Sequence, residues 1–419
     1  MPSPTRRWYL RVIAHVLLMA GALVICETGL QLVTRVSVSA QSVVGPEISP
    51  SLPGTVLGSK GNPKYPDHDV AGYRNRDQPE RAGVVVLGDS HTYGVAVSRD
   101  EAWPHVLEAS LGQRVYNMAF PGMSPAQSLF QLTQALSFKP HHIVVSVYFG
   151  NDFIDAFNAS QSPEISALAP PDLLRESRIK EAASPLRILG NELFSADESA
   201  NDPPGYVRRL RTWLSLHSRL YGLMRAAKNF ARPPVSEPAD FDTLVRLVPP
   251  AKFRYWMITD QPNWRAILTP RLHALGVDDR DVRIRLGVEI VKRALKSIAE
   301  QSRAEGVELL VVLLPTKDAV FWPHTNHKEG VLAALIADEA RLKQELIADL
   351  NSQSVEVVDA TEPLREAPRQ PYFQNAETHP NALGHRVIAD VVAARLARSD
   401  KSAPLLPERN RPGASAAAR

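Results

Sequence analysis

The sequence predicts an α/β protein in which helices cover both faces of a parallel sheet. Short apolar runs of strand length alternate with longer helical patterns along much of the chain. The loops that follow several of these runs are rich in Gly, Asn and Asp. Hydrophobic residues make up 44% and charged residues 22% of the 419 residues, which favours a packed core over general disorder.

The strands and helices are predicted in a regular order. The first strand, Gly83-Val-Val-Val-Leu87, leads directly into Gly-Asp-Ser90, and Ser124 fits as the N-cap of the second helix. The other strands are predicted at Arg114–Phe120, His142–Phe149, Leu309–Leu314 and Val355–Asp359. The helices are predicted at Ala102–Leu111, Pro125–Phe138, Val288–Glu305, Glu329–Leu350 and Ala382–Ala397.

The same patterns predict the domain organisation. We expect a signal anchor over residues 1–40, a linker over 41–80, one α/β domain over 81–398 and a disordered tail over 399–419. Within the domain the alternation stops over residues 155–285, where Pro-rich turns and basic-aromatic patches occur. This insertion has two interpretations, an irregular surface segment or a cap over the strand ends.

The N-terminal stretch is apolar from Trp8 to Val33 and follows Arg6 and Arg7. About 20 apolar residues are needed to span a bilayer, so an uncleaved transmembrane anchor is the favoured interpretation. A signal peptide cleaved after Ala40 and a buried helix of a soluble protein are the alternatives. Both membrane interpretations place the rest of the chain outside the cytoplasm, in the periplasm if the source is Gram-negative.

Composition excludes several classes of protein. The 48 basic and 45 acidic residues give a net charge of +3, without the basic stripe of a nucleic-acid binder. Cys26 is the single cysteine, so neither a disulfide within the chain nor a cysteine-based zinc site can form. His324 and His327 are three residues apart but have no nearby Cys or carboxylate pair. We therefore expect no metal, and the sequence contains no phosphate loop or dinucleotide motif that would indicate a cofactor.

Chemically useful side chains follow the predicted strands. Ser90 follows Gly-Asp after the first strand, Gly122 lies beyond the second, and Asn151 follows Gly150 after the third. His379 precedes the last helix in the run Glu-Thr-His-Pro-Asn. Each feature alone is typical of a turn or a helix cap. Because ligands collect at the carboxyl ends of parallel strands, the four together predict one site.

In these residues and their order the chain resembles the SGNH (GDSL-type) hydrolase superfamily, over about residues 83–155 and 285–397. The resemblance implies a three-layer α/β/α, flavodoxin-like domain. It also implies that Ser90 is the nucleophile and His379 its base, and that the N–H groups of Ser90 and Gly122 form the oxyanion hole with the Asn151 amide. A serine hydroxyl needs such a base and such donors to attack an ester.

One departure from the family concerns the carboxylate that orients the histidine. Family members usually have Asp two or three residues before the histidine, whereas this chain has Ala376 and Glu377. Glu377 is therefore expected to complete the triad, with Asp359 as the alternative. Asp89 and Asp152 are expected to support the loops that carry Ser90 and Asn151.

These expectations together favour a membrane-anchored, extracytoplasmic serine esterase or O-acyltransferase. Its substrate would be an acyl ester, an O-acetylated envelope polysaccharide or glycan, and envelope polysaccharide machinery would be a partner. The alternatives are a lipase or lysophospholipase and a non-catalytic assembly or binding protein. The roles of two further side chains are undecided from the sequence. His91 either belongs to a Gly-Asp-Ser-His variant that resembles polysaccharide-modifying members or is a turn residue. Lys317 either lines the pocket or is solvated.

Overall fold

The computed structural model describes residues 4–36, 49–54, 56–181 and 256–402, and between 181 and 256 it describes 206–207, 210, 213–214, 218–224 and 241–246. The chain divides into two compact units. The first consists of Met1–Leu52, Lys64–Pro66 and Ser184–Lys252. The second, called the sheet unit below, consists of Pro53–Pro63, Asp67–Ala183 and Phe253–Arg419.

A long apolar helix, α1, runs from Pro4 to Val36 in the first unit. Its window Ile13–Val33 has a mean hydropathy of 2.0 and none of it is buried, unlike a core helix of a soluble protein. Its length and composition fit a membrane anchor and a signal sequence equally. The cleavage position after Ala40 lies outside the described residues.

The described strands include five in one parallel sheet. The strands are β1 (Ser51–Pro53), β2 (Ser59–Gly61), β3 (Val84–Leu87), β4 (Val115–Asn117), β5 (His142–Tyr148), β6 (Met257–Gln261), β7 (Trp264–Leu268), β8 (Glu308–Leu314) and β9 (Glu356–Asp359). The large sheet has the order β4-β3-β5-β8-β9, while β1 pairs with β2 and β6 with β7. All four pairings in the large sheet are parallel, which confirms the predicted α/β fold class.

Helices surround this sheet. In the described part of the sheet unit they are α2 (Ser90–Tyr93), α3 (Trp103–Leu111), α4 (Pro125–Ser137), α5 (Asp152–Ala159), α6 (Pro163–Ser166), α7 (Pro171–Glu181), α9 (Pro270–Val277), α10 (Val282–Ala304), α11 (Lys317–Phe321), α12 (Gly330–Ser352), α13 (Thr361–Arg365) and α14 (Ala382–Ser402). Helix α8 (Phe241–Arg246) belongs to the first unit. Short 3₁₀ turns occupy Arg99–Glu101 and Trp322–His324.

Alternate strand residues face two separate hydrophobic cores. Val85 and Leu87 of β3 pack into a core with residues of α4, α5, α10 and α12. Val84 and Val86 pack into a second core with residues of α3, α11, α13 and α14. Because successive side chains of a strand point to opposite faces, this division makes the sheet the middle of three layers.

The stretch predicted to lack regular structure contains several elements in its described part. Helices α6, α7 and α9 lie within residues 155–285, as does the hairpin β6–β7, and α10 begins at Val282 rather than Val288. Ile165 and Val277 are fully buried in the first core. Helices α5 and α10 also approach closely, since a Cβ on Gly287 would lie 1.8 Å from the Phe153 carbonyl oxygen. Much of this stretch therefore supports the sheet unit.

The end of the predicted linker is also ordered, through polar rather than apolar side chains. Buried Asp69 accepts hydrogen bonds from the Tyr116 hydroxyl at 2.9 Å and from Asn75 at 3.1 Å. Arg74 donates to the carbonyls of Tyr93 and Gly94 at 3.3 and 2.5 Å. The two bonds from Arg74 fix the turn that follows Ser90. At the other end of the chain, residues 403–419 of the predicted tail lie outside the described residues.

Candidate active site

The first predicted site residue lies at the junction of β3 and α2. Ser90 begins α2, and the buried carboxylate of Asp89 caps this helix by accepting from the His91 backbone N–H at 2.9 Å. Gly88 is required here, because a Cβ would lie 2.1 Å from the Ser146 hydroxyl. The sharp turn leaves Ser90 only partly buried, so its hydroxyl is accessible.

A chain of hydrogen bonds joins Ser90 to the loop before α14. His379 Nε2 lies 2.9 Å from Ser90 Oγ, and His379 Nδ1 lies 2.5 Å from Glu377 Oε1. The structure thus brings Ser90 together with Glu377 and His379, which are 287 and 289 positions further along the chain. This arrangement allows Nε2 to accept the serine proton while Glu377 fixes the tautomer of the ring.

The longer side chain of Glu377 is accommodated by turning back over its own loop. Its Oε1 also accepts from the backbone N–H groups of Thr378 at 2.9 Å and His379 at 3.1 Å. The hydrogen bond from His379 is the largest cause that lowers the pKa of Glu377 to about 2. Glu377 is therefore ionised at neutral pH.

The alternative carboxylate, Asp359, is engaged elsewhere. Its Oδ1 accepts from the Thr361 backbone N–H at 2.9 Å and from the Thr361 hydroxyl at 2.5 Å, and it lies 3.4 Å from Lys343 Nζ. The structure brings Glu377, and not Asp359, to the histidine.

The predicted oxyanion donors differ in how the structure holds them. Gly122 has a φ of 78°, a left-handed conformation that favours glycine, and open space lies where a Cβ would be. Asn151 Nδ2 donates to Asp155 Oδ2 at 2.8 Å. An amide NH₂ has two N–H donors, so this bond orients Asn151 and leaves its second N–H for a ligand.

Asp152, predicted to support this loop, is buried beneath it. Its Oδ2 accepts from the Tyr148 backbone N–H at 2.8 Å and so closes the turn after β5. Burial, and then the charge of Asp89, raise the pKa of Asp152 well above its ordinary value. Both effects favour the neutral form of the Asp152 carboxyl group.

Comparison with known proteins identifies part of this unit. Residues 279–414 match the sequence model of a family described as "SGNH hydrolase-like domain, acetyltransferase AlgX". This segment is similar to an SGNH hydrolase-like domain. The match confirms the resemblance predicted from the motifs, and it contains Glu377 and His379, whereas Ser90 lies outside it in sequence.

Solved structures similar to this chain are also GDSL-type or esterase proteins. They include a GDSL-like lipase from Bacteroides thetaiotaomicron, with 10% identity, coverage of 76% of this chain and 89% of that chain, and a TM-score of 0.31. A lipolytic G-D-S-L family member from Veillonella parvula has 11% identity, coverage of 75% and 98%, and a TM-score of 0.35. An acetyl-xylooligosaccharide esterase mutant from a Geobacillus species has 8% identity, coverage of 76% and 96%, and a TM-score of 0.35. No curated protein matches the sequence.

A second histidine, His91, lies beside Ser90 and His379, and its role could not be decided from the sequence. His91 is 2% exposed, and its ring stacks on Tyr148 at a centroid distance of 3.6 Å and lies 4.5 Å from the His379 ring. Nδ1 lies 3.2 Å from Asp89 Oδ2, and Nε2 lies 3.3 Å from the Thr378 carbonyl. Burial lowers the pKa of His91 and outweighs the opposing charge of Asp89. A neutral ring therefore packs against His379 and avoids repelling it when His379 is protonated.

Lys317 is placed differently from both interpretations of the sequence. It is 1% exposed, so it is neither solvated nor open to a pocket. Its ammonium donates to main-chain carbonyls in the loop that carries Glu377 and His379. Sequence could not reveal this contact, because a lysine after a strand is usually solvated and its partners are 56 to 60 residues away.

The acid that orients Asn151 provides a pH-dependent prediction. Burial, followed by the charge of Asp89, raises the pKa of Asp155 from 3.8 to about 7. The folded state thus keeps a proton that the unfolded chain releases above about pH 4, so this group lowers stability as pH rises toward 7. Asp155→Asn stays neutral and is expected to exceed wild type in stability by about 2–4 kcal/mol at pH 8, with little difference near pH 4.

Unfolding of the detergent-solubilised full chain at several pH values measures this difference. A constant difference in stability between wild type and Asp155→Asn from pH 4 to pH 8 would contradict the raised pKa of Asp155.

Proposed function

We propose that this protein is a serine esterase or O-acyltransferase that acts through an acyl-serine intermediate. The observation that carries the proposal is the hydrogen-bond chain from Ser90 Oγ through the His379 ring to Glu377, with lengths of 2.9 and 2.5 Å. Nucleophile, base and orienting carboxylate are thus held in the order that activates a serine hydroxyl.

In the proposed reaction Ser90 Oγ attacks the ester carbonyl while its proton passes to His379 Nε2. The negative charge that forms on the carbonyl oxygen is stabilised by the N–H groups of Ser90 and Gly122 and by Asn151 Nδ2. When the C–O bond breaks, His379 returns the proton to the leaving alcohol and acyl-Ser90 remains. Water or a sugar hydroxyl then attacks the acyl carbon while its proton passes to His379. The bond between the acyl carbon and Ser90 Oγ breaks, His379 returns the proton to Ser90 Oγ, and a carboxylic acid or a new ester is released.

The proposed substrate is an O-acylated, and specifically O-acetylated, envelope polysaccharide or glycan. The description of the matching family as an acetyltransferase favours an acetyl group. A groove of about 420 Å³ in the sheet unit offers Phe373 together with the polar side chains of Glu101, Arg369 and Asn381. Aromatic and polar groups in one groove suit a carbohydrate chain, and Phe373 and Asn381 flank the Glu377–His379 loop in sequence.

The proposed location is the outer face of the cytoplasmic membrane, which is the periplasm in a Gram-negative cell. Helix α1 would serve as the anchor, with Arg6 and Arg7 on the cytoplasmic side. Envelope polysaccharide machinery would then be the natural partner, since anchoring places the site where such polymers are assembled.

The test is to treat the full-length protein in detergent with a fluorophosphonate probe and with acetyl and long-chain acyl esters of p-nitrophenol. We expect the probe to label Ser90 and the acetyl ester to be hydrolysed. Turnover of long-chain esters alone would favour a lipase or lysophospholipase. A folded protein that neither reacts with the probe nor hydrolyses any of these esters would favour a non-catalytic assembly or binding protein.

Incubation with O-acetylated envelope glycans separates the two proposed reactions. Release of acetate indicates a hydrolase, and acetyl groups appearing on an added glycan acceptor indicate a transferase.

A further inference from the structure

We propose that Lys317 is a positioning residue that holds the loop carrying Glu377 and His379 in register with Ser90. This inference rests on the proposed function of that triad. Lys317 lies at the start of α11, directly after β8, and is almost fully buried. It has no contact with Ser90 or His379 among its described hydrogen bonds, so it acts through the loop.

The ammonium of Lys317 binds a bent segment of the main chain. Nζ lies 2.7 Å from the carbonyl oxygens of both Phe373 and Asn375 and 3.2 Å from that of Glu377. Because all three oxygens lie within 3.2 Å of one nitrogen, the chain curves around the ammonium, and residues 374–376 form a bend. The intervening carbonyl of Gln374 instead accepts from the backbone N–H of Ile267 in β7 at 2.8 Å. The segment is therefore held by β7 through the Gln374 carbonyl and by the Lys317 side chain through the other three carbonyls.

Lysine suits this position because an ammonium has three N–H donors, which matches the three carbonyls. Burial of a charge is unfavourable unless hydrogen bonds replace its hydration, so the bonds to the loop become necessary to the fold of the site. The backbone that carries Lys317 is itself fixed by the preceding residue. Thr316 caps α11 by accepting from the Ala319 backbone N–H at 3.1 Å, and its hydroxyl donates to buried Glu339 at 2.6 Å.

The third carbonyl links this arrangement to catalysis. It belongs to Glu377, whose side chain binds His379 Nδ1, so the backbone that Lys317 holds also sets the distance from His379 to Ser90. Displacement of reacting groups by about 1 Å can reduce catalysis by about 100-fold. Loss of the ammonium is therefore expected to slow the chemical step while substrate binding persists.

The experiment compares Lys317→Met with Lys343→Met in the full-length protein. Lys343 is a matched control because it is also buried, at 8% exposure, but it pairs with Thr361 and Asp359 instead of the loop. We expect Lys317→Met to lower kcat and the rate of fluorophosphonate labelling of Ser90 by about 100-fold, with KM within about threefold. Lys343→Met is expected to keep both rates within about threefold, and Lys317→Arg, which retains the charge and the donors, to recover part of the loss.

Amide hydrogen exchange tests the same inference without any substrate. Lys317→Met is expected to speed exchange in the peptide spanning residues 373–378, and Lys343→Met to leave that peptide unchanged. If wild type neither hydrolyses esters nor labels, the proposed function fails, and the exchange result still decides whether Lys317 holds the loop.

Wild-type labelling or exchange in a folded Lys317→Met would overturn the inference. An equal loss of labelling in the Lys343→Met control would also overturn it. If Lys317→Met does not fold, Lys317→Gln, which keeps part of the donor set, takes its place under the same criteria.

Discussion

Replacement of Ser90 by alanine is expected to lower kcat for a small acetyl ester by roughly 10⁴- to 10⁶-fold. The change removes the protein atom that forms a bond to the acyl group in the proposed reaction, while His379 and the oxyanion donors stay in place. The hydroxyl makes few other contacts, since beyond His379 it lies 3.4 Å from Asp89 Oδ2. We therefore expect the free energy of unfolding to change by less than about 1 kcal/mol.

A serine away from the site provides the control for this variant. Ser137 is exposed at the end of α4 and donates to the Gln134 carbonyl at 2.6 Å, so Ser137→Ala removes the same hydroxyl without touching the triad. Steady-state turnover and thermal unfolding of the two variants, measured on the full-length protein, separate loss of chemistry from loss of fold. Wild-type turnover by folded Ser90→Ala would rule out the acyl-serine mechanism.

The sheet was predictable because its information is local. The run Val84–Leu87 is apolar throughout and Ile143–Tyr148 is apolar except for Ser146, as expected of strands covered by helices on both faces. The helices between them show the matching period. Parallel strands require helical crossovers, so the order of elements restricts the fold to a few arrangements.

The hairpin β6–β7 is an element that local sequence patterns did not predict. Its strands are short and contain polar residues, and they lie next to a stretch of the chain without clear periodicity. One local indication was present: Pro262 and Asn263 separate the strands, and Asn263 adopts a φ of 65°, a conformation that asparagine tolerates in two-residue turns.

Within the site, the motif residues and the adjacent carboxylates Asp89 and Asp152 could be selected from the sequence, whereas the supports from distant parts of the chain could not. Ser90 and His379 occur in runs whose chemistry is visible in the sequence alone. The contacts of His91 with Thr378, of Lys317 with Phe373 and of Asp69 with Tyr116 join residues 47 or more positions apart. All three side chains are also buried, and no short pattern encodes that burial. The polarity of these residues predicts a solvent-exposed position, and only the folded packing reverses that expectation.

Exchange of the Glu377 carboxylate for an amide is expected to lower kcat by about 10³- to 10⁴-fold. Glutamine preserves the length and shape of the side chain but cannot stabilise the imidazolium that forms when His379 takes the serine proton. Its NH₂ group can also bind His379 Nδ1 and so select the tautomer in which Nε2 carries a proton and cannot act as the base. Because the pKa of Glu377 is lowered to about 2, its carboxylate stays ionised from pH 5 to 9, and the loss should be similar throughout that range.

The matched comparison is Asp359→Asn, the same carboxylate-to-amide change at the alternative position. Asp359 accepts from the Thr361 backbone N–H at the start of α13 and lies 3.4 Å from Lys343 Nζ, so this variant should lose stability, with kcat within about threefold of wild type. Glu377→Asp adds a second comparison, because a carboxylate one methylene shorter keeps the charge but withdraws from Nδ1 unless the backbone moves toward the ring. A smaller loss of kcat in Glu377→Asp than in Glu377→Gln would show that the negative charge matters more than the length of the side chain. If Asp359→Asn lost rate as severely as Glu377→Gln, the assignment of the triad carboxylate to Glu377 would fail.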